Sequence, residues 1–344
     1  MARALRIWLV LALAAAAAWL WALDSGSSPI PLRSVLQLLW APDAAASGTS
    51  AEVLRQLRLP RVLAAFASGG LLALAGALMQ VLLRNPLADP YVLGISGGAA
   101  VGALGAMLAG LGAAFIECGA FGGALFSILL VFGLARGALL GARGATGRDD
   151  APRLLLTGVM VAAGWGACIM LMLTLAPESH VRGMLFWLAG DLGGADQGGL
   201  ALVVLALCLA AAWPLGRELN LLLRGPLRAA ALGVNLGRLR AAVYLIASLA
   251  TAVAVTTGGS IGFVGLVVPH ALRLLLGNDQ RVLLPACALA GGSLLVLADT
   301  AARTWFAPQQ LPVGVITALL GVPAFLVLMA RGSGAGRSLG QSAP

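Results

Sequence analysis

The sequence predicts an all-α, polytopic membrane protein with about ten transmembrane helices per subunit, and three observations predict it. Of 344 residues, 60% are apolar and only 10% are charged, against about 45–50% and 25% in a soluble domain. The apolar residues fall in continuous runs near twenty residues long, the length that crosses a hydrocarbon core as a helix. Those runs, rich in Leu, Ala, Val and Gly, lack the polar–apolar alternation of barrel strands. Inside hydrocarbon each segment must satisfy its own backbone polar groups, and an uninterrupted apolar run does so as a helix.

The first run, Ile7 to Leu23, follows Arg3 and Arg6 and has the layout of a signal peptide. Trp19 and Trp21 near its far end suit an interfacial belt, so it is read as a retained first helix. Residues 24–60 are polar, with Pro29, Pro31 and Pro42, and form an external connection closing on a short amphipathic piece. Further runs cover roughly 62–83, 92–113, 115–135, 154–175 and 198–216, then 240–257, 261–276, 282–301 and 311–330. The run 261–276 is the shortest and contains Pro269.

Orientation follows from arginine, because all 22 basic residues are arginine and lysine is absent. With the N-terminus in the cytoplasm, 16 arginines fall on inward loops and 6 on outward ones. That is the positive-inside bias expected of ten spans with both termini cytoplasmic. Topology thus accounts for the net charge of +9 without invoking nucleic acid. The absence of lysine also excludes a Walker A loop, whose Gly-Lys-Ser/Thr holds the β- and γ-phosphates.

Chemistry-bearing residues are sparse. Cys118, Cys168, Cys208 and Cys287 lie singly in apolar runs and read as small buried hydrophobes. His180 and His270 are too few and too far apart for a metal site. Acidic residues sit at run ends or in loops; only Glu117 and Asp299 come near apolar runs, both towards an interface. A proton-coupled carrier is expected to keep a titratable group at mid-bilayer, and a membrane hydrolase a nucleophile–base set or metal cluster. Small residues recur every fourth position at Gly94, Gly98, Gly102, Ala106 and Gly110, and again at Gly158, Ala162 and Gly166. That spacing suits close helix packing, or the wall of a substrate path.

Four stretches are more specific. Arg58-Leu59-Pro60-Arg61 lies directly before the second helix and is followed by Gly76-Ala77-Leu78-Met79-Gln80. Arg84-Asn85-Pro86-Leu87-Ala88-Asp89-Pro90 leads to Leu93-Gly94-Ile95-Ser96-Gly97-Gly98, and its prolines impose a rigid non-helical turn. Gly262-Phe263-Val264-Gly265 runs on to Val268-Pro269-His270 and Arg273, and Leu311-Pro312-Val313-Gly314 to Gly321-Val322-Pro323. In order and spacing, from about residue 53 to 330, these resemble the permease family of ABC importers for ferric siderophores, haem and cobalamin. Leu283-Leu284-Pro285-Ala286-Cys287 and Ala298-Asp299 give the nearest likeness to cobalamin permeases.

The resemblance implies a non-catalytic permease in a bacterial inner membrane, working as a homodimer on a cytoplasmic ABC ATPase dimer. An external substrate-binding protein delivers cargo, and ATP and Mg are used by the partner, with no cofactor or metal bound by this chain. In these terms 1–344 is one permease domain: 1–60 the first helix and external connection, 61–216 helices two to six, 217–240 a cytoplasmic coupling loop, 241–330 helices seven to ten, and 331–344 a cytoplasmic tail. Arg58, Arg61 and Arg303 match arginines that dock the binding protein, a task suited to guanidinium forks; interface snorkelling is the alternative. Gly225, Arg228, Ala229, Leu232 and Gly233 carry the family's Gly-x-x-x-Ala-x-x-x-Gly coupling pattern on two short helices, although Pro226 replaces a common acidic residue. Asn85 and Leu87 match a cytoplasmic gate, whose second strand is altered here by Ala151 and Pro152 before Arg153. An ATP-independent secondary carrier is the reading outside this class.

Overall fold

The computed structural model describes residues 2–26, 52–140 and 151–335. The connection around Pro29, Pro31, Arg33 and Pro42, the basic stretch with Arg143, Arg148, Asp149 and Asp150, and Arg337 of the tail lie outside the described residues. Among the described residues all regular structure is helical, and every apolar run becomes a helix. In chain order these are α1 (Ala2–Asp24), α2 (Leu59–Leu82), α3 (Ile95–Leu108), α4 (Ala113–Leu134), α5 (Arg136–Leu140) and α6 (Ala151–Leu175). Then come α7 (Glu178–Leu188), α8 (Gly198–Ala212), α9 (Gly216–Leu223), α10 (Pro226–Ala231) and α11 (Leu236–Gly258). The chain continues with α12 (Val264–Leu276), α13 (Gln280–Thr304) and α14 (Val313–Ala335).

Eight helical stretches among the described residues are long and apolar enough to cross a membrane. The other two runs counted from sequence become α3 and α12, of 14 and 13 residues. At 1.5 Å per residue each is about 20 Å long, short of a hydrocarbon core of about 30 Å. For α3 the cause is the turn before it. Gly265 packs against both Pro90 and the Leu72 carbonyl, ten residues before the end of α2 at Leu82. Segment 83–94 therefore folds back along α2 before α3 begins. Asp89 caps the single 3₁₀ turn Pro90–Leu93 by accepting from the Tyr91 N–H at 2.8 Å. Tyr91 Oη then donates to the Ile261 carbonyl and accepts from the Ile261 N–H, both at 3.0 Å, and so ties the turn to the lead-in of α12.

Helix α2 is the centre of the bundle. Nearly every residue from Ala64 to Leu82 is buried, and α8, α11, α12 and α13 surround it. With lipid as apolar as leucine, this association rests on close van der Waals packing, for which small residues clear the way. A Cβ added to Gly76 would stand 1.8 Å from the Gly265 oxygen. The small-residue face predicted on α3 packs on α4: a Cβ on Gly102 would lie 1.9 Å from the Gly119 oxygen. The second small-residue set is split, since Gly158 abuts the Val92 carbonyl whereas Gly166 faces open space. The cysteines depart in part from expectation. Cys208 and Cys287 are buried, but Cys118 and Cys168 are exposed on the bundle surface, which lipid or another chain can cover.

Candidate docking and coupling sites at opposite ends of the bundle

At one end, the three predicted docking arginines line one cavity, and two of them hold a buried acid. Pro60 in the first turn of α2 suits a helix start, and Arg61 follows it. Arg61 donates from Nε to both Asp299 oxygens at 3.1 Å and from Nη2 to Oδ1 at 2.8 Å. Arg303, one turn beyond Asp299 on α13, donates from Nε to Oδ2 at 3.1 Å. The Asp299 side chain is 2% exposed, and those of Arg61 and Arg303 are 12% and 10% exposed. Arg58 is also buried, and its Nη1 reaches the Leu23 and Asp24 carbonyls at the end of α1, at 2.6 and 3.0 Å. These carbonyls lack helical partners, so Arg58 satisfies a helix C-terminus. A cavity of about 380 Å³ opens over the three arginines.

A larger cavity of about 600 Å³ adjoins it, with Ala195 lining both. Glu117, Arg182, Trp187, Asp191, Thr256 and Thr257 are among its walls. Much of that wall is α7, an element the sequence reading passed over. Its signal was there: Pro177 before the helix, Glu178 in the first turn, then Val181, Met184, Leu185 and Leu188 at helical spacing.

The other end of the bundle holds the predicted coupling segment. It forms two short helices, α9 and α10, as the pattern suggested. Gly225 and Gly233 bracket α10 with φ of +116° and +85°, and nothing lies within 4 Å of a Cβ at either. Glycine is needed there for backbone conformation rather than for space. Pro226 occupies the first turn of α10, where a missing N–H costs nothing. Ala229 packs inward, whereas Arg228, Leu232 and Gly233 are exposed.

This segment is stitched to the start of α13. Asn220 donates to Asp279 Oδ1 at 2.8 Å and accepts from the Gln280 N–H at 2.9 Å. Trp213 Nε1 donates to the Arg281 carbonyl at 3.0 Å. Asp279 caps α13, and hydrogen bonds from Arg281 and Asn220 hold its carboxyl at about 2, below the usual range. Helix α13 then runs from this clamp to Arg303, about 36 Å at 1.5 Å per residue, and joins the two sites physically.

The predicted gate residues lie in the turn after α2. Asn85 Oδ1 accepts from the Leu87 N–H at 2.9 Å, an Asx turn that leaves Leu87 exposed. Arg153 is exposed in the first turn of α6, after Ala151 and Pro152.

Comparison with known proteins decides the family. The model of the FecCD transport family matches residues 13–331, nearly the whole described bundle. The chain belongs to the FecCD transport family. As a FecCD chain it is a transport protein, not an enzyme. It is 40% identical over 286 residues to the cobalamin import system permease protein of Halobacterium salinarum, covering 82% of this chain and 74% of that one. It is 41% identical over 284 residues to the hemin transport system permease protein of Yersinia pestis, covering 80% and 83%. Among solved structures, it superposes on an inward-facing metal-chelate type ABC transporter with a TM-score of 0.82 at 28% identity, covering 95% of this chain and 99% of that one.

Proposed function

We propose that this FecCD chain is the permease subunit of an ABC importer that carries a large metal chelate into the cytoplasm by alternating access. Cobalamin, haem and ferric siderophores form the cargo class. What supports this reading is the family-wide match together with an arginine–aspartate cluster and an exposed two-helix segment at opposite ends of one helix, α13. In this reading ten segments, including the short α3 and α12, cross or enter a bacterial inner membrane with both termini cytoplasmic. Two copies form the pathway.

The exposed residues Arg228, Leu232 and Gly233 of the coupling segment rest on a separate ABC ATPase, which binds and hydrolyses ATP with Mg. The chain itself supplies no lysine for a phosphate loop. At the outer end an external binding protein docks over Arg58, Arg61 and Arg303 and releases cargo towards the cavity lined by α7. Asn85 and Leu87 belong to the inner gate. The cavity lined by α7 offers bulk and mixed walls, with Glu117, Arg182, Asp191 and two threonines among apolar residues, which suits a large polar chelate.

Co-purification with the cognate ATPase tests the inner half of the reading. Replacing Leu232 with Asp on the exposed turn after α10 is expected to abolish co-purification while the permease stays monodisperse. Undiminished ATPase recovery from that variant contradicts the assignment of 217–240 as the coupling loop.

A further inference from the structure

The docking cluster contains an acid that the docking reading does not use. Asp299 is a buried carboxylate held by two arginines from different helices, Arg61 on α2 and Arg303 on α13. Two cations share one anion, so the cluster keeps excess positive charge. The donors are divided in a particular way. Arg61 spends Nε and Nη2 on Asp299, and its Nη1 meets Gln310 Oε1 at 3.2 Å, an exposed side chain. A guanidinium has two edges able to take a carboxylate. Asp299 occupies the inner edge of Arg61, and the outer edge faces the cavity with only a neutral amide oxygen on it. Arg303 gives Nε to Asp299 and turns Nη2 inward, to the Ala22 carbonyl and Thr300 at 3.4 and 3.5 Å.

We propose that Asp299 is the positioning residue of the docking site: it fixes Arg61 and Arg303 side by side so that an acidic side chain of the incoming protein replaces Gln310 on the outer edge of Arg61. This rests on the docking reading given above and adds a residue and a geometry to it. It also explains why a carboxylate lies beneath a surface meant to attract acids. Free arginine side chains lose substantial rotamer entropy on binding; arginines already held by Asp299 lose little.

The sign of one substitution separates positioning from charge. Binding of the external protein to the assembled permease–ATPase complex is measured at low and moderate salt. If charge alone governed docking, Asp299→Asn, which removes a negative charge, would tighten binding to an acidic partner. Positioning predicts the reverse, a loss of about tenfold, equivalent to about 1.4 kcal/mol, with ATPase assembly intact. Asp299→Glu keeps the charge and displaces the carboxylate by one methylene, and weakening is expected there too.

Gln310→Glu places an internal acid on the outer edge and is expected to compete with docking. Because Gln310 is exposed, this variant tests the geometry even where the Asp299 variants fail to assemble. Unchanged or tighter binding by Asp299→Asn or Asp299→Glu, or unchanged binding by Gln310→Glu, overturns the inference. Normal docking by Arg61→Ala and Arg303→Ala together overturns the docking reading itself.

Discussion

Adding one methyl group to Gly76 should loosen the bundle at its centre. The Cβ of alanine there would stand 1.8 Å from the Gly265 oxygen and 2.6 and 2.8 Å from two further backbone atoms of that residue. Contact distance is roughly 3.5 Å, so α2 and the first turn of α12 must part by about 1.5 Å. No side chain can rotate to relieve this, because the opposing atoms are backbone. Overpacking of this kind costs about 1–3 kcal/mol. Separation also strains the Gln80 to Leu266 carbonyl hydrogen bond of 3.2 Å one turn away, worth about 1 kcal/mol. A total of about 2–4 kcal/mol follows.

Gly122→Ala on α4 is the control: that glycine is exposed with nothing within 4 Å of a Cβ. Alanine is intrinsically better in a helix by up to about 1 kcal/mol, so the control is expected to be neutral or stabilising. Denaturant titration in detergent micelles reads both variants. Equal midpoints for Gly76→Ala and Gly122→Ala would refute the idea that glycine-on-backbone packing holds α2 in place.

Two further outcomes are expected. Asp279→Ala removes the cap of α13 and its Asn220 clamp, at about 0.5–2 kcal/mol near neutral pH. Because Asp279 has a folded value of about 2, below an unfolded value of about 3.9, its contribution is full above about pH 4. The gap between wild type and variant in thermal midpoint should close as pH falls from about 4 to 2. Tyr91→Phe leaves the Ile261 N–H and carbonyl without their shared partner and should cost about 1–3 kcal/mol in the same denaturation assay.

Much of the architecture was legible because a bilayer makes simple demands. Length and apolarity alone placed α1, α2, α4, α6, α8, α11, α13 and α14, and proline placed the turn after α2. Of the two segments counted as spans that came out short, α12 was marked in the sequence by its length and Pro269, whereas α3 could not be told from a full one. Hydropathy records how apolar a run is, and the depth at which α3 starts depends on segment 83–94 folding back against Leu72 and Gly265. Helix α7 was missed because it is only eleven residues long and carries Glu178, His180 and Arg182, so its mean hydropathy is low.

The coupling glycines were readable as a pattern, but their reason, positive φ at Gly225 and Gly233, was not. The docking arginines were found by resemblance. Asp299 was legible as an acid near an interface and as part of the family likeness, but not as the partner of Arg61, because pairing across 238 residues between α2 and α13 leaves no local trace in sequence.

The central claim is that the motion of this chain is powered by a separate ATPase. Uptake of the metal chelate into proteoliposomes measures it most directly, with permease, cognate ATPase and binding protein reconstituted together or singly. The account predicts accumulation only when ATPase, enclosed ATP with Mg, and binding protein are all present. Uphill accumulation by the permease alone, driven by an imposed ion gradient, would contradict it.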